Sequence, residues 1–278
     1  MDWVPLQNWL NLAPLPVVAL VLFVAMCAAA GLGVLSRGLR GEIRQGAADA
    51  GGQEGYIVSA VLGLLALLMG FTFSLAVDRF DARRLLVLEE ANAIGTAYLR
   101  AQVLDEPHRS RMSGLLVRYL DNRIALAKAK PGEAQSELAV NDALLTDIWA
   151  GSVAAFDSIK GLDFSSTYMD SMNAVIALDA ARKAARVARV PPEVFAVLII
   201  YLVTAAAVLG HVLTGLRGRV AGAVLLILLT LSLVLIIDID RPTLGGIVES
   251  QGPMENLRKS LVVAPADVYQ KWRTATGQ

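Results

Sequence analysis

The chain has one cysteine, two histidines and no net charge, and these shortages exclude several functions before any motif is considered. Cys27 lies inside an apolar run, so one chain can form neither a disulfide framework nor a thiolate metal site. His108 and His211 lack the HExxH spacing of a zinc hydrolase. The 25 basic residues balance the 25 acidic ones, and nothing suggests a partner that is a nucleic acid.

Motifs that hold a phosphate or a nucleophile are also absent. The sequence contains no GxxxxGK loop, no GxSxG turn and no pair of carboxylates with a recognisable catalytic partner. We therefore expect a protein that is not an enzyme and that uses no cofactor and no metal.

Charged residues make up only 18% of the chain, and four long stretches lack them almost entirely. A helix needs about 20 apolar residues to cross roughly 30 Å of hydrocarbon. The first stretch has no basic residue before it and is too long for a signal peptide. No carboxylate lies in the interior of a stretch, which disfavours a transporter. We predict four transmembrane helices, near residues 15–35, 56–77, 194–214 and 220–238.

The segment between the second and third spans is rich in Ala, Leu, Arg and Glu and poor in Gly, which favours helices. Asp105 is the expected N-cap of one helix, and Pro191 is expected to end the last one. Helices are predicted near residues 82–105, 107–130, 133–160 and 165–190. The predicted fold class is therefore an all-α membrane protein with a helical-bundle soluble domain. The predicted order is a first transmembrane helix pair with its connecting loop (1–77), the helical soluble domain (78–193), a second transmembrane hairpin (194–240) and a C-terminal tail (241–278).

The helix that follows the second span has two contrasting faces. Its apolar stripe repeats at spacings of four and three, as in a coiled-coil seam, and packs either inside one subunit or against another. This stripe consists of Val87, Ala91, Ile94, Tyr98 and Ala101. The opposite face is polar, and is either solvated or the wall of a wet vestibule. The predicted vestibule residues are Glu89, Asn92, Thr96 and Arg100, and the acidic pair Glu89 and Glu90 is expected to lie in water.

The second span, in "GLLALLMGFTFSLAVDRFDARR" (63–84), changes character along one helical face. That face runs from small to aliphatic, aromatic, hydroxyl and carboxylate side chains, as a pore lining would. The simpler alternative to a pore lining is that these residues mark the end of an ordinary membrane helix at the lipid–water interface. A ring of carboxylates would disfavour anions unless Arg79 compensates, so the ion selectivity stays open. The predicted pore-lining residues are Gly63, Leu67, Phe71, Ser74 and Asp78.

Two polar features lie near or within the last two spans. His211 is better explained by a hydrogen bond to a neighbouring helix than by a ligand site. In "DIDRPTLGGIVES" a charged motif meets the membrane edge, and its proline ends the helix. This predicted membrane-edge motif consists of Asp238, Asp240, Arg241 and Pro242.

Basic residues flanking the spans are more frequent on the side of residues 78–193, which predicts that this domain and both termini are cytoplasmic. The first span alone predicts the opposite orientation, because it has no basic residue before it.

Several runs resemble the bacterial DUF4239 family, whose members are described as bestrophin-like. These runs are "LLALLMGFTFSLAVDRFDARR", "EEANAIGTAYLRAQVLDEP", "LLVRYLDNR", "MNAVIALDAARKAARVARVPP" and "IIDIDRPTLGGIVES", within residues 56–262. Bestrophins are pentameric anion channels with four membrane helices per subunit and a helical cytoplasmic domain. Gly70-Phe71, Arg79-Phe80 and Ala82-Arg83 are similar to the pattern of their second membrane helix.

The resemblance implies a hydrophobic neck at Leu67 and Phe71, although Gly63 occupies the position of a third bulky neck residue. The segment after the last span has no dense carboxylate run, so no calcium site is carried over. The resulting expectation is a bestrophin-like ion channel in the bacterial inner membrane, a homo-oligomer with five subunits favoured. Its partners would be the lipid bilayer, inorganic ions and copies of itself. The alternative is a non-conducting membrane scaffold or sensor.

Overall fold

A computed structural model of the protein describes residues 4–41, 50–130, 132–242 and 244–271. Throughout these ranges the chain forms helices and turns and no β-strand. The α-helices are α1 (Val4–Leu12), α2 (Leu15–Gly41), α3 (Ala50–Ala101), α4 (His108–Lys128), α5 (Ala134–Ile159), α6 (Phe164–Val187), α7 (Pro192–Val212), α8 (Gly215–Asp240) and α9 (Gly252–Val263), followed by a 3-10 helix at Ala266–Gln270.

Four segments are long and apolar enough to cross a membrane: one lies within α2, one lies within α3, one runs through α6 and α7, and one coincides with α8. The four predicted membrane helices are thereby confirmed as long apolar helices. The predicted hairpin of the last two is also present, because only Leu213 and Thr214 separate α7 from α8. Gly215 begins α8 with a φ of 65°, a conformation that glycine adopts without steric cost. Part of the predicted loop between the first two spans, residues 42–49, lies outside the described residues.

The chain divides into two compact units. The first, here called the membrane unit, comprises Met1–Asp81 and Ala188–Val248. The second, the helical unit, comprises Ala82–Val187 and Glu249–Gln278. The sequence did not indicate that the end of the chain belongs to the helical unit, where α9 buries Met254 and Leu261 in the core. The predicted domain boundaries stay predictions.

In the membrane unit, α2 and α7 approach each other through glycines. A methyl group at Gly33 would overlap the carbonyl oxygen of Ala207, and one at Gly210 would overlap that of Ala30. Small residues of this kind let two membrane helices pack backbone against backbone. His211 Nδ1 lies 3.0 Å from the Ser36 hydroxyl, which in turn donates a hydrogen bond to the Gly33 carbonyl. The predicted interhelical hydrogen bond of His211 is therefore confirmed.

In the helical unit, the apolar stripe of α3 packs inside the unit itself. Val87, Ala91, Ile94, Tyr98 and Ala101 are at most 4% exposed and belong to the core. For this stripe, the interpretation as packing within one subunit is correct and the interpretation as a subunit contact is wrong. A face buried in its own unit has no surface left to offer to a second chain.

The predicted helices of this unit are present, but one predicted cap is wrong. Pro107, not Asp105, is the residue that precedes α4, and no side-chain hydrogen bond caps the helix from that position. The Glu106 carboxylate performs the capping instead, since it accepts hydrogen bonds from the Ser110 amide (3.2 Å) and hydroxyl (2.7 Å). Negative charge is favourable there because the first turn of a helix leaves its N–H groups unpaired. The last helix, α6, ends at Val187, before the predicted stop at Pro191.

Candidate functional site

The predicted pore-lining residues lie together on an exposed face of α3. Leu67 is 53% exposed and Phe71 is 66% exposed. Gly63, Ser74 and Asp78 are exposed as well. The other side of the same turns is buried in the membrane unit and consists of Leu65, Met69, Thr72 and Ala76.

This division explains why the polar groups of the stretch differ in surroundings. The buried Thr72 hydroxyl donates to the Leu68 carbonyl one turn back (2.8 Å), so it needs no outside partner. The Asp78 carboxylate has no hydrogen-bond or ion-pair partner among the described residues. A carboxylate beside an apolar membrane helix is costly unless it meets water or a counter-charge. The exposed face therefore ends in a group that requires an aqueous surrounding.

The predicted vestibule residues are accessible on the α3 segment of the helical unit. Glu89, Asn92 and Thr96 are exposed. Arg100 is half-buried, and its guanidinium donates a hydrogen bond to the Thr167 carbonyl at 2.6 Å. Arg100 is thus fixed to α6, whereas the other three side chains face outward.

Glu90 contradicts the expectation that the acidic pair is solvated. Its side chain is fully buried and forms ion pairs with two arginines, Arg123 at 3.0 Å and Arg182. The Tyr119 hydroxyl donates a hydrogen bond to the same carboxylate at 2.6 Å. Buried charges of this kind persist only when they are paired and hydrogen-bonded on all sides. Glu90 is therefore the centre of a structural cluster, not part of a solvated face.

A second carboxylate, Asp179, completes this buried cluster. It lies 3.1 Å from Arg123 and 2.7 Å from Lys183, and it accepts a hydrogen bond from Asn141 at 3.0 Å. Burial and the adjacent Glu90 charge raise the pKa of Tyr119. Burial opposes the charge on Arg123, but Glu90, Tyr119 and Asp179 outweigh burial and raise the pKa of Arg123. The cluster joins α3, α4 and α6 by charge, and Asn141 of α5 joins it by hydrogen bonds to Asp179 and Arg123.

The predicted membrane-edge motif connects separate parts of the membrane unit. Arg241, 2% exposed, donates to the Leu10 carbonyl at the end of α1. Asp240 accepts a hydrogen bond from the Val190 amide at 3.0 Å, and Asp238 accepts one from the Gly246 amide at 2.7 Å. As predicted, α8 ends before Pro242, because the preceding Arg241 adopts an extended conformation. Pro242 itself is buried. These contacts give the motif a structural role: it holds the end of α8 against the end of α1, the segment before α7 and the segment that follows α8.

These observations define the class of the protein as an all-helical, multi-pass membrane protein. The sequence profile of the bestrophin-like domain matches residues 17–250, which is most of the chain. The protein belongs to the bestrophin-like family, as the sequence resemblance indicated. A search of curated proteins found no match. A search of solved structures found none either.

Proposed function

We propose that the protein is a homo-oligomeric ion channel whose axial pore is lined by α3. The observation that supports this proposal is the asymmetry of α3 in the membrane unit. One side of the helix is buried against the same chain, and the wider exposed part includes the graded series from Gly63 to Asp78. A face in contact with lipid alone would gain nothing from a hydroxyl followed by a carboxylate.

Each part of this face has a role in the proposed pore. Leu67 and Phe71 form a hydrophobic constriction, which can stop ions by excluding water when it is narrow. Ser74 and Asp78 form the mouth, where a hydroxyl and a carboxylate interact with the hydrated ion. The exposed Glu89, Asn92 and Thr96 line a vestibule in the helical unit.

The proposed topology follows from the order of the segments. Residues 78–193 form a soluble domain between the second and third spans. This domain and both termini lie on the cytoplasmic side of a bacterial inner membrane. The excess of basic residues flanking the spans on that side supports this orientation. Five subunits are the favoured number by family resemblance. A ring of Asp78 side chains would disfavour anions unless Arg79 compensates, so the proposal leaves the ion selectivity open.

The proposal is tested by planar-bilayer recordings of the purified full-length protein. We expect the wild type to conduct and Phe71→Ala to conduct more, because the shorter side chain widens the constriction. Phe73→Ala is the matched control, since Phe73 is an exposed phenylalanine two residues away on another side of α3. We expect its current to equal that of the wild type.

Two results would contradict the channel proposal. The first is the absence of current from both wild type and Phe71→Ala. The second is an equal effect of the Phe71→Ala and Phe73→Ala substitutions, which would show that the face does not matter. Absence of current would favour the alternative, a non-conducting scaffold or sensor that holds partners through its helical unit.

A further inference from the structure

An apolar cleft opens on the membrane unit where α2, α7 and α8 meet. Its volume is about 160 Å³. Leu209 and Leu226, which are buried, form its inner wall, whereas Cys27, Val34 and Ala223 at its rim are exposed. The cleft is therefore open to the hydrocarbon of the bilayer at its rim and enclosed by protein at its back.

Small residues create this cleft. Gly210 of α7 packs against the backbone of Ala30, and Gly218 and Gly222 leave α8 without side chains along the cleft. From Gly218 to Leu226 the cleft follows α8 for about 12 Å, at a rise of 1.5 Å per residue. An apolar space of this size stays free of water, so hydrocarbon fills it. The shape and lining fit one acyl chain of a lipid.

One charged side chain, Arg219, also lines the cleft. It is exposed and lies near the start of α8, so its methylene groups follow the apolar wall while its guanidinium reaches the headgroup layer. Arg37 and Arg217 are exposed at the same end of the membrane unit, because Ser36 contacts His211 just before the turn between α7 and α8. Three arginines therefore surround the end of the cleft that faces the headgroups.

The three helices place no carboxylate near these arginines. α2 contains neither Asp nor Glu, and Glu193 of α7 lies in the first turn, at the far end of that helix. Asp238 and Asp240 lie at the far end of α8. An anionic headgroup supplies the missing negative charge, and basic residues at a membrane surface attract such lipids. One molecule with an acyl chain and a net negative phosphate headgroup satisfies both parts of the site.

We propose that this cleft binds one anionic glycerophospholipid from the leaflet that faces the turn between α7 and α8. One acyl chain lies in the cleft, and the phosphate lies on Arg219. The site contains no residue of α3, so it goes beyond the proposed channel and does not rest on it.

The test is a lipid titration of the purified, delipidated full-length protein in detergent, followed by native mass spectrometry. The two probes are phosphatidylglycerol and phosphatidylcholine with the same acyl chains. We expect one phosphatidylglycerol per chain, bound at a lipid concentration about fivefold lower than phosphatidylcholine requires. Glycerol 1-phosphate has the charge without the acyl chain and should not displace the lipid. Equal binding of the two lipids, or displacement by glycerol 1-phosphate, would overturn the proposal.

Arg219→Gln tests the polar part of the site. It should weaken the binding of phosphatidylglycerol about fivefold and leave that of phosphatidylcholine unchanged. Arg217→Gln is the matched control, because Arg217 is exposed and does not line the cleft. We expect it to cost less than about twofold, since solvent and salt screen an exposed charge. Equal losses in the two variants would indicate a diffuse attraction to the surface and would rule out the site.

Gly222→Leu tests the apolar part. Even a methyl group at this position would lie 3.1 Å from the Leu213 side chain, so a leucine there occupies the cleft. Binding of both lipids should weaken about tenfold or more, because displacing two methylene groups of the acyl chain already costs that factor. Ala221→Leu enlarges an exposed residue of α8 outside the cleft and should bind as the wild type does.

Unchanged binding by a folded Gly222→Leu protein would contradict the proposal. If that variant shows no melting transition, the comparison of Arg219→Gln with Arg217→Gln decides, because neither substitution adds volume.

Discussion

Replacing Glu90 by Gln should destabilise the helical unit more than any surface substitution. The amide keeps the volume of the carboxylate and removes its charge. Arg123 and Arg182 would then keep their positive charges at buried positions, where each is at most 5% exposed. Tyr119 would also lose the charged acceptor of its hydroxyl group, now 2.6 Å away.

The expected cost follows from the burial of the cluster. Removing one partner of a buried ion pair costs about 3–5 kcal/mol, because the remaining charge is left without compensation. Asp179 lies 3.1 Å from Arg123 and would still neutralise part of its charge. The cost should therefore fall toward the lower end of that range. At about 2–4 °C per kcal/mol for a chain of this size, the melting temperature should fall by roughly 10 °C.

The assay is thermal unfolding of the purified protein in detergent, followed by circular dichroism at fixed protein concentration. Asp147→Asn is the control, because Asp147 is an exposed carboxylate on α5 and its loss should cost less than about 0.5 kcal/mol. A Glu90→Gln protein that melts at the same temperature as the control would refute the inference that Glu90 holds the unit together by its charge.

The other predictions concern helix packing and ion selectivity. Gly33→Ala should lower the thermal stability by about 1–3 kcal/mol or more, because its methyl group would meet the Ala207 carbonyl. Gly31→Ala on the same helix meets no atom within 4 Å, so equal melting of the two variants would contradict the close packing. Asp78→Asn should shift the reversal potential under a salt gradient toward anions, because it removes a ring of negative charge. Glu193→Gln, an exposed carboxylate at the start of α7, should cause no shift, and an unchanged potential for Asp78→Asn would place Asp78 outside the ion path.

Much of the fold follows from local rules that one sequence displays. Uncharged runs of about 20 residues predict membrane helices because hydrocarbon excludes charge. Pro242 marks the end of α8 because the residue before a proline avoids the helical conformation. The buried stripe of α3 was visible as a periodic pattern, but the pattern alone did not distinguish packing within one chain from packing between two.

The buried charges were harder to predict. Glu89 and Glu90 are adjacent and chemically identical, yet one is exposed and the other is fully buried. The signal was present, because Glu90 lies three residues after Val87 and four before Ile94, on the core face. Its partners Arg123 and Arg182 are 33 and 92 residues away, and no local pattern identifies them. For the same reason the contact between Arg241 and the end of α1 could not be predicted.

The measurement that most directly tests the central claim is modification of a single cysteine at Phe71 during bilayer recording. Cys27 is the only native cysteine, so Cys27→Ser combined with Phe71→Cys gives the protein one defined thiol. A charged, water-soluble thiol reagent should reduce the current irreversibly, because a side chain in the constriction faces the ion path. Phe73→Cys in the same background should show no change. A current through the Phe71→Cys protein that is unaffected by the reagent would contradict the claim that this face of α3 lines a pore.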